Sequence, residues 1–384
     1  MKILMTSSGG IIRDMNTPEY GLASELVRRG HEVTVLSSSS VLRKHAAKKE
    51  EVVEGIKVKR FSPVLPSSLL YMLRNNFDLV HMHHLGYLAP ISSFAALRKK
   101  IKSVPAIFTI HGLYHDPYLV KNPEDPFSEN IQRKVQTSFS LAPWKIFNWF
   151  VHLPLGADKI TALTEWEKIE TAKLGIRKDK IEVIPNGVNL EKYKKRKKDY
   201  FKKLGLDGNI LLFVGQPAKR KGWQYFLQAM PRMLKEFPDV KAVFIGYRQS
   251  QELEDMCEKL GIRDAVRFLG FLPEEEKIQA LQSADAFVFP TLYEGFGIVF
   301  LEAMACGLPI ITTHVAGNSE IVEHKKNGLL VMPKDSAAIS DAVIELLTNK
   351  QLRSRIRKND LEKVKGYDWK HVAKSYQKIY ESVM

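Results

Sequence analysis

Two acids in TLYEGFGIVFLEAMACGLPI (residues 291–310) offer the clearest chemistry in the chain. Glu294 stands at a glycine-rich turn. Glu302 follows eight positions later as the only polar side chain in IVFLEAMAC. A helix that is apolar all round is buried, and an unpartnered carboxylate inside it costs several kcal/mol. Glu302 therefore needs a partner. That partner is a neighbouring lysine, a backbone amide, or a ligand's vicinal diol, such as a nucleotide ribose, which a carboxylate grips through two hydrogen bonds. A glycosidase pair would hold its carboxyls about 5–9.5 Å apart. Eight residues at about 1.5 Å each span roughly 12 Å, which suits gripping two ends of an extended ligand better than hydrolysis.

The elements around these acids follow from punctuation residues. ADAFVFP reads as a strand stopped by Pro290, and Gly295 and Gly297 let the backbone approach a ligand closely. A helix is expected from about Ile298 to Cys306, with Gly307 as its stop and Pro309 opening the next strand. Strand, glycine turn and helix N-terminus together make an anion site, favourable to phosphate.

The same alternation runs along the whole chain. MKILMTS, HEVTVLS, FDLVHMH (77–83), AIFTIHG (106–112) and KITALT (159–164) read as strands separated by longer segments. IEVIPNG then ends a strand at Pro185 and turns at Asn186-Gly187, entering a lysine-rich connection. A second series follows: NILLFVG (209–215), VKAVFIG (240–246), AVRFLGF (265–271), ADAFVFP (284–290), PIITTH (309–314) and GLLVMP (328–333). Such alternation predicts an α/β protein of two doubly wound, Rossmann-like domains, with ligands in the central cleft at the carboxyl ends of the strands. The last helix, 367–383, carries Trp369, Tyr376 and Tyr380 and needs an apolar surface to cover.

Composition bounds the rest. With 384 residues, 45% hydrophobic and 26% charged, the chain suits two soluble domains. Cys257 and Cys306 have no metal-ligand spacing, which points to a reducing, cytoplasmic setting. MKILMTSSGG turns polar too early for a signal peptide, and no run approaches the roughly 18 apolar residues of a membrane span. Residues 1–200 carry 32 lysines and arginines against 20 acids, and residues 201–384 carry 26 against 23. A basic first half faces nucleic acid, anionic lipid or a phosphorylated substrate, or is simply a solvated surface. SSGGII lacks the G-x-G-x-x-G spacing of a dinucleotide dehydrogenase.

Glu, seven residues, Glu, in the setting P-x-x-x-E-G-F-G-x-x-x-L-E-A-M-A-x-G-x-P, resembles the signature of retaining glycosyltransferase family 4 (glycosyl transferases group 1), of the GT-B fold. The Gly9–Gly10 turn, DLVHMH, FTIHG, VIPNGVN, the Gly215-to-Gly222 loop, RFLGFLP, AGNSEIVE and the terminal YDW helix extend the likeness over nearly the full length, weakest at 115–155.

The resemblance implies an acceptor-side domain over 1–187 plus 368–384, the last helix crossing back to it, and a donor-binding domain over 188–367. It implies a hexosyltransferase-type enzyme that moves a sugar from a nucleoside-diphosphate sugar to an acceptor, retaining anomeric configuration. Glu302 would hold the ribose and Glu294 would lie against the sugar. Gly295, Phe296, Gly297 and Ile298 would offer the turn and helix amides. Lys221 would neutralise the diphosphate, with Gly215 beside it. His111 would approach the sugar from the N-terminal domain, and Gly10 would bring amides near the phosphates. Many members carry Gly-Arg where this chain has Gly215-Gln216, and Arg220 is expected to replace the missing charge.

No carboxylate cluster or Asp-x-Asp motif suggests a required metal, so neither cofactor nor metal is expected. The expected partners are the donor and a sugar, lipid-linked or small-molecule acceptor, without nucleic acid. The base, the sugar and the acceptor stay open. An epimerase, a phosphorylase or a non-catalytic sugar-nucleotide-binding subunit are the alternatives. His81, His83 and His84 suit acceptor contacts or packing better than a metal, and His31 and His324 suit the surface. LAPWKIFNWFVHLPLG (141–156) is a core helix or a peripheral contact with the cytoplasmic membrane face, and the lysines at 192–203 suit a solvated linker.

Overall fold

The computed structural model describes residues 1–7, 17–38, 48–61, 67–83, 90–111, 153–173, 175–195, 199–216, 218–247 and 250–384. Gly10, His84, and the aromatic segment up to residue 152 lie outside them. The chain divides into two compact units, one holding residues 1–120, 129–187 and 369–384 and the other centred on 188–368.

In the first unit, eight strands form one sheet: β1 (Lys2–Ser7), β2 (Glu32–Ser38), β3 (Glu50–Val53), β4 (Ile56–Phe61), β5 (Leu79–His83), β6 (Ala106–Thr109), β7 (Lys159–Ala162) and β8 (Ile181–Val183). Their order is β3-β4-β2-β1-β5-β6-β7-β8, parallel except where β3 meets β4. Apart from Lys2 at the start of β1, the central strands β1, β5 and β6 are buried, as expected of a parallel sheet covered on both faces. The β3–β4 hairpin was not anticipated. Its signal is the alternation around Glu54-Gly55, both with positive φ (47° and 84°), the backbone of a tight hairpin turn.

The terminal helix Trp369–Val383 buries Trp369, Val372, Ala373, Tyr376, Ile379 and Tyr380 in this unit's core, beside Ile3, Leu22, Val35 and Ile184. Trp369 explains two glycines. A Cβ on Gly21 would sit 2.1 Å from its indole, and one on Gly187 would sit 2.6 Å from it. Burying a side chain of this size contributes about 3 kcal/mol, so the segment beyond residue 368 is held firmly to its sheet.

In the second unit, β9 (Ile210–Val214), β10 (Lys241–Ile245), β11 (Val266–Gly270), β12 (Ala286–Phe289), β13 (Ile310–Thr313) and β14 (Leu329–Val331) lie in the order β11-β10-β9-β12-β13-β14, all parallel. The order reverses between β9 and β12, the switch point at whose carboxyl side ligands bind in open α/β sheets. The loops after these two strands carry Lys221 and Glu294.

Candidate donor site

The loop after β9 forms a single 3₁₀ turn, Lys219–Lys221, closed by Gly222 in the left-handed region (φ 73°). Gly222 must be glycine, because a Cβ there would lie 1.8 Å from the carbonyl oxygen of Pro290. The neighbouring loop is tied to this turn. Leu292 donates its N–H to the carbonyl of Arg220 (2.7 Å), and the Thr291 hydroxyl donates to the same oxygen (3.0 Å).

This lock places Lys221 Nζ against Glu294 Oε2, an ion pair whose side chains are only 12% and 15% exposed. Lys221 Nζ also lies 5.2 Å from the ring centre of Phe289. Burial lowers the Lys221 pKa and the Arg220 charge adds to that, while Glu294 works in the opposite direction. Arg220 Nη1 donates to the Tyr293 carbonyl at 3.3 Å and stands 3.9 Å from Glu294 Oε2. Two cations and one carboxylate thus converge on the turn.

The glycine turn is packed from both sides. A Cβ on Gly297 would strike Phe300 at 2.7 Å, and one on Gly317 would strike the Gly295 carbonyl at 2.1 Å. Gly295, Phe296 and Gly297 are buried, and Phe296 stands 6.3 Å, ring centre to ring centre, from Tyr367. Helix Ile298–Cys306 starts at Gly297 with no side-chain cap and ends at Gly307 in the left-handed region (φ 61°). An N-terminus without a side-chain cap presents its first-turn amides to an anion. Gly215 donates to the Ile245 carbonyl at 3.0 Å, and Gly246 (φ 90°) lies so close that a Cβ would be 2.1 Å from the Gly215 oxygen.

Glu302 has a protein partner. Lys277 Nζ, from helix Glu274–Ser283, lies 2.6 Å from Glu302 Oε1, with side chains 19% and 5% exposed. Of the three partners open from the sequence, a lysine is the one present, and the ion pair accounts for the burial of Glu302. Tyr193 is buried nearby. Burial first, and the Glu302 charge second, raise its pKa well above the usual range. Lys277 was not singled out from the sequence, and its spacing of 25 residues from Glu302 carries no local signal. Of the linker lysines, Lys192 is bound to Glu274 at 2.6 Å, and Lys194 forms an exposed pair with Glu191.

His111 belongs to the first unit, just after β6. Its Nε2 is 2.9 Å from His83 Nδ1. His81 and His83 are buried, and His324 is exposed. His31 is half-buried, with Nε2 2.8 Å from Gln377 Nε2, so it is tied to the terminal helix instead of standing on the surface.

Comparison with known proteins bears on the family and the fold. The model of glycosyl transferases group 1 matches residues 195–363, and that of glycosyltransferase family 4 matches residues 20–192. A phosphatidyl-myo-inositol mannosyltransferase of Mycobacterium leprae is 28% identical over 96% of this chain and 86% of its own length. An uncharacterized glycosyltransferase of Methanocaldococcus jannaschii is 28% identical over 95% of this chain and 93% of its own. Among solved structures, Anabaena Alr3699/HepE in complex with UDP matches with a TM-score of 0.76 at 19% identity, both chains covered in full. Sucrose-phosphate synthase from Thermosynechococcus elongatus matches with a TM-score of 0.77 at 20% identity, over 99% of this chain and 98% of its own. The chain belongs to the group 1 glycosyltransferases and has the GT-B fold. It is a glycosyltransferase.

Proposed function

We propose that this glycosyltransferase moves a hexose from a nucleoside-diphosphate sugar to a hydroxyl acceptor with retention of configuration and without a required divalent ion. The observation that supports this best is the Lys221–Glu294 pair, locked beside a helix N-terminus that has no side-chain cap.

Cleaving the sugar–phosphate bond releases a dianion. Lys221, Arg220 and the amides of Gly295 to Ile298 stabilise that charge, each good donor contributing about 2.7–4 kcal/mol in the transition state. On donor binding Lys221 turns from Glu294 to the diphosphate, and Glu294 is left to the sugar's hydroxyls. Glu302, oriented by Lys277, accepts from the ribose hydroxyls. Gly215 lets the backbone close on the phosphates, and Gly10 and His111 serve the donor from the first unit. Arg220 stands in for the cation that Gln216 lacks. Retention follows a front-face route, in which the leaving phosphate oxygen takes the acceptor's proton as the new bond to the anomeric carbon forms.

The Mycobacterium leprae relative favours an inositol-bearing or other lipid-linked acceptor. Such a lipid-linked acceptor would be met at the cytoplasmic membrane face; among the described residues no helix is long and apolar enough to cross a membrane.

The test incubates the protein with UDP- and GDP-hexoses and candidate acceptors in EDTA, and reads free nucleoside diphosphate and the product's anomeric coupling constant. A product with the donor's configuration is expected. An inverted product, or activity lost in EDTA and restored by a divalent ion, would overturn the corresponding part of the proposal.

A further inference from the structure

A chain of buried polar rings runs from the terminal helix to His111. Tyr380, on helix Trp369–Val383, places its hydroxyl 2.8 Å from His81 Nδ1. His81 Nε2 is 2.7 Å from the Thr109 hydroxyl, which is itself 2.6 Å from that of Thr161 and 3.2 Å from that of Tyr376. His81 is completely buried, and burial first, with the His111 charge second, brings its pKa down to about 3. It is therefore a neutral ring with one N–H and one lone pair, clamped at both nitrogens. The His83 ring lies on it, centres 4.1 Å apart, and His83 Nδ1 meets His111 Nε2 at 2.9 Å. The His83 backbone is fixed as well: its N–H donates to the Thr6 hydroxyl at 3.0 Å, and its carbonyl accepts from Ser92 at 2.6 Å.

We propose that His83 is a positioning residue for His111, fixing its ring orientation and tautomer through the Nδ1–Nε2 hydrogen bond, with His81 and the terminal-helix tyrosines holding His83 in turn. A hydrogen bond between two ring nitrogens needs one to donate and the other to accept, so the bond couples the tautomer of His111 to that of His83. A half-buried histidine at a strand end would otherwise rotate about two side-chain torsions and exchange tautomers. The terminal helix thus has a chemical task besides covering the core. The kinetic consequence rests on the role proposed for His111 at the donor sugar, whereas the positioning itself does not.

The test compares His83→Leu, which removes the ring nitrogens, with His83→Asn, whose amide sits where Nδ1 was. The two readouts are the imidazole ¹⁵N spectrum of His111 and steady-state kinetics at saturating donor. The leucine variant is expected to show mixed His111 tautomers and a kcat lowered roughly 10- to 100-fold, with donor KM within about two-fold. The asparagine variant is expected to restore a single tautomer and most of kcat. A single, wild-type tautomer and unchanged kcat in the leucine variant would overturn the proposal. Should that variant not fold, mixed tautomers in a folded asparagine variant would overturn it, and a single tautomer there would support it. If the wild type turns over no donor, the functional reading fails, and the ¹⁵N spectra still decide the positioning.

Discussion

Lys221 and Glu294 are ion-paired although 73 residues separate them, and hydrogen bonds from the Leu292 N–H and the Thr291 hydroxyl to the Arg220 carbonyl hold their loops together. Each partner sits at the end of a strand beside the point where the sheet order reverses. The pair is therefore a property of the fold, and in the proposed mechanism it holds a buried cation in place until the diphosphate binds.

Removing that cation gives the first prediction. Lys221→Ala should lower kcat/KM by about 100-fold or more, since a charged donor to the leaving group is lost. Lys221→Arg should not restore it, because the planar guanidinium does not fit a site shaped for an ammonium. Wild-type kinetics in the alanine variant would remove Lys221 from the mechanism.

Glu302 and Lys277 make a second, separable prediction. Lys277→Met leaves a buried carboxylate without its ion-pair partner and should destabilise the second unit by about 1–3 kcal/mol, discounted for the partial exposure of the lysine. The double variant Lys277→Met with Glu302→Gln should recover part of that loss. Thermal unfolding of the two singles and the double measures the coupling; strict additivity would mean the pair contributes nothing.

The backbone lock can be broken at one atom. Gly222→Ala forces a Cβ into the Pro290 carbonyl at a left-handed residue, which should cost about 2 kcal/mol or more. It should also lower kcat/KM more than its loss of stability explains, because Lys221 moves with the turn. An active, fully stable Gly222→Ala would show that the loops do not need this close approach.

Asp360 gives a pH-dependent prediction. Burial raises its pKa to about 8, against hydrogen bonding from Asn327 and the charge of Lys363. The folded value lies above the unfolded one of about 3.9, so the folded state binds more protons between the two. Stability therefore falls as pH rises from about 4 to 8. Asp360→Asn cannot ionise, and its Tm should exceed the wild type's at pH 8 by a margin that shrinks towards pH 4. Parallel Tm curves for the two proteins would contradict this.

The sequence made most of this architecture legible. Short apolar runs marked the parallel strands, and glycines 295, 297 and 307 bounded the helix Ile298–Cys306 that the structure contains. The hairpin Glu50–Phe61 escaped because its strands alternate and pair antiparallel at an edge, unlike the continuous apolar runs elsewhere. In the site, Glu294 and Glu302 stood out through local context. Lys221 was named only through the family resemblance and Lys277 not at all, and neither pairing was legible, because both lysines reach the acids only through the packing of distant elements. The histidines of β5 illustrate the same limit. His81 and His83, two residues apart in a strand, share a face, but Tyr380 and Thr109, which hold His81, come from elsewhere in the chain.

The most direct measurement is a thermal-shift titration of the wild type, Lys221→Ala and Glu302→Ala with UDP-, GDP- and ADP-sugars in EDTA. A ligand that binds only the folded state raises Tm in proportion to its affinity. One donor should raise the wild-type Tm strongly and leave both variants nearly unmoved. An equal shift in all three proteins, or no shift with any donor, would contradict a nucleotide-sugar site built on Lys221 and Glu302.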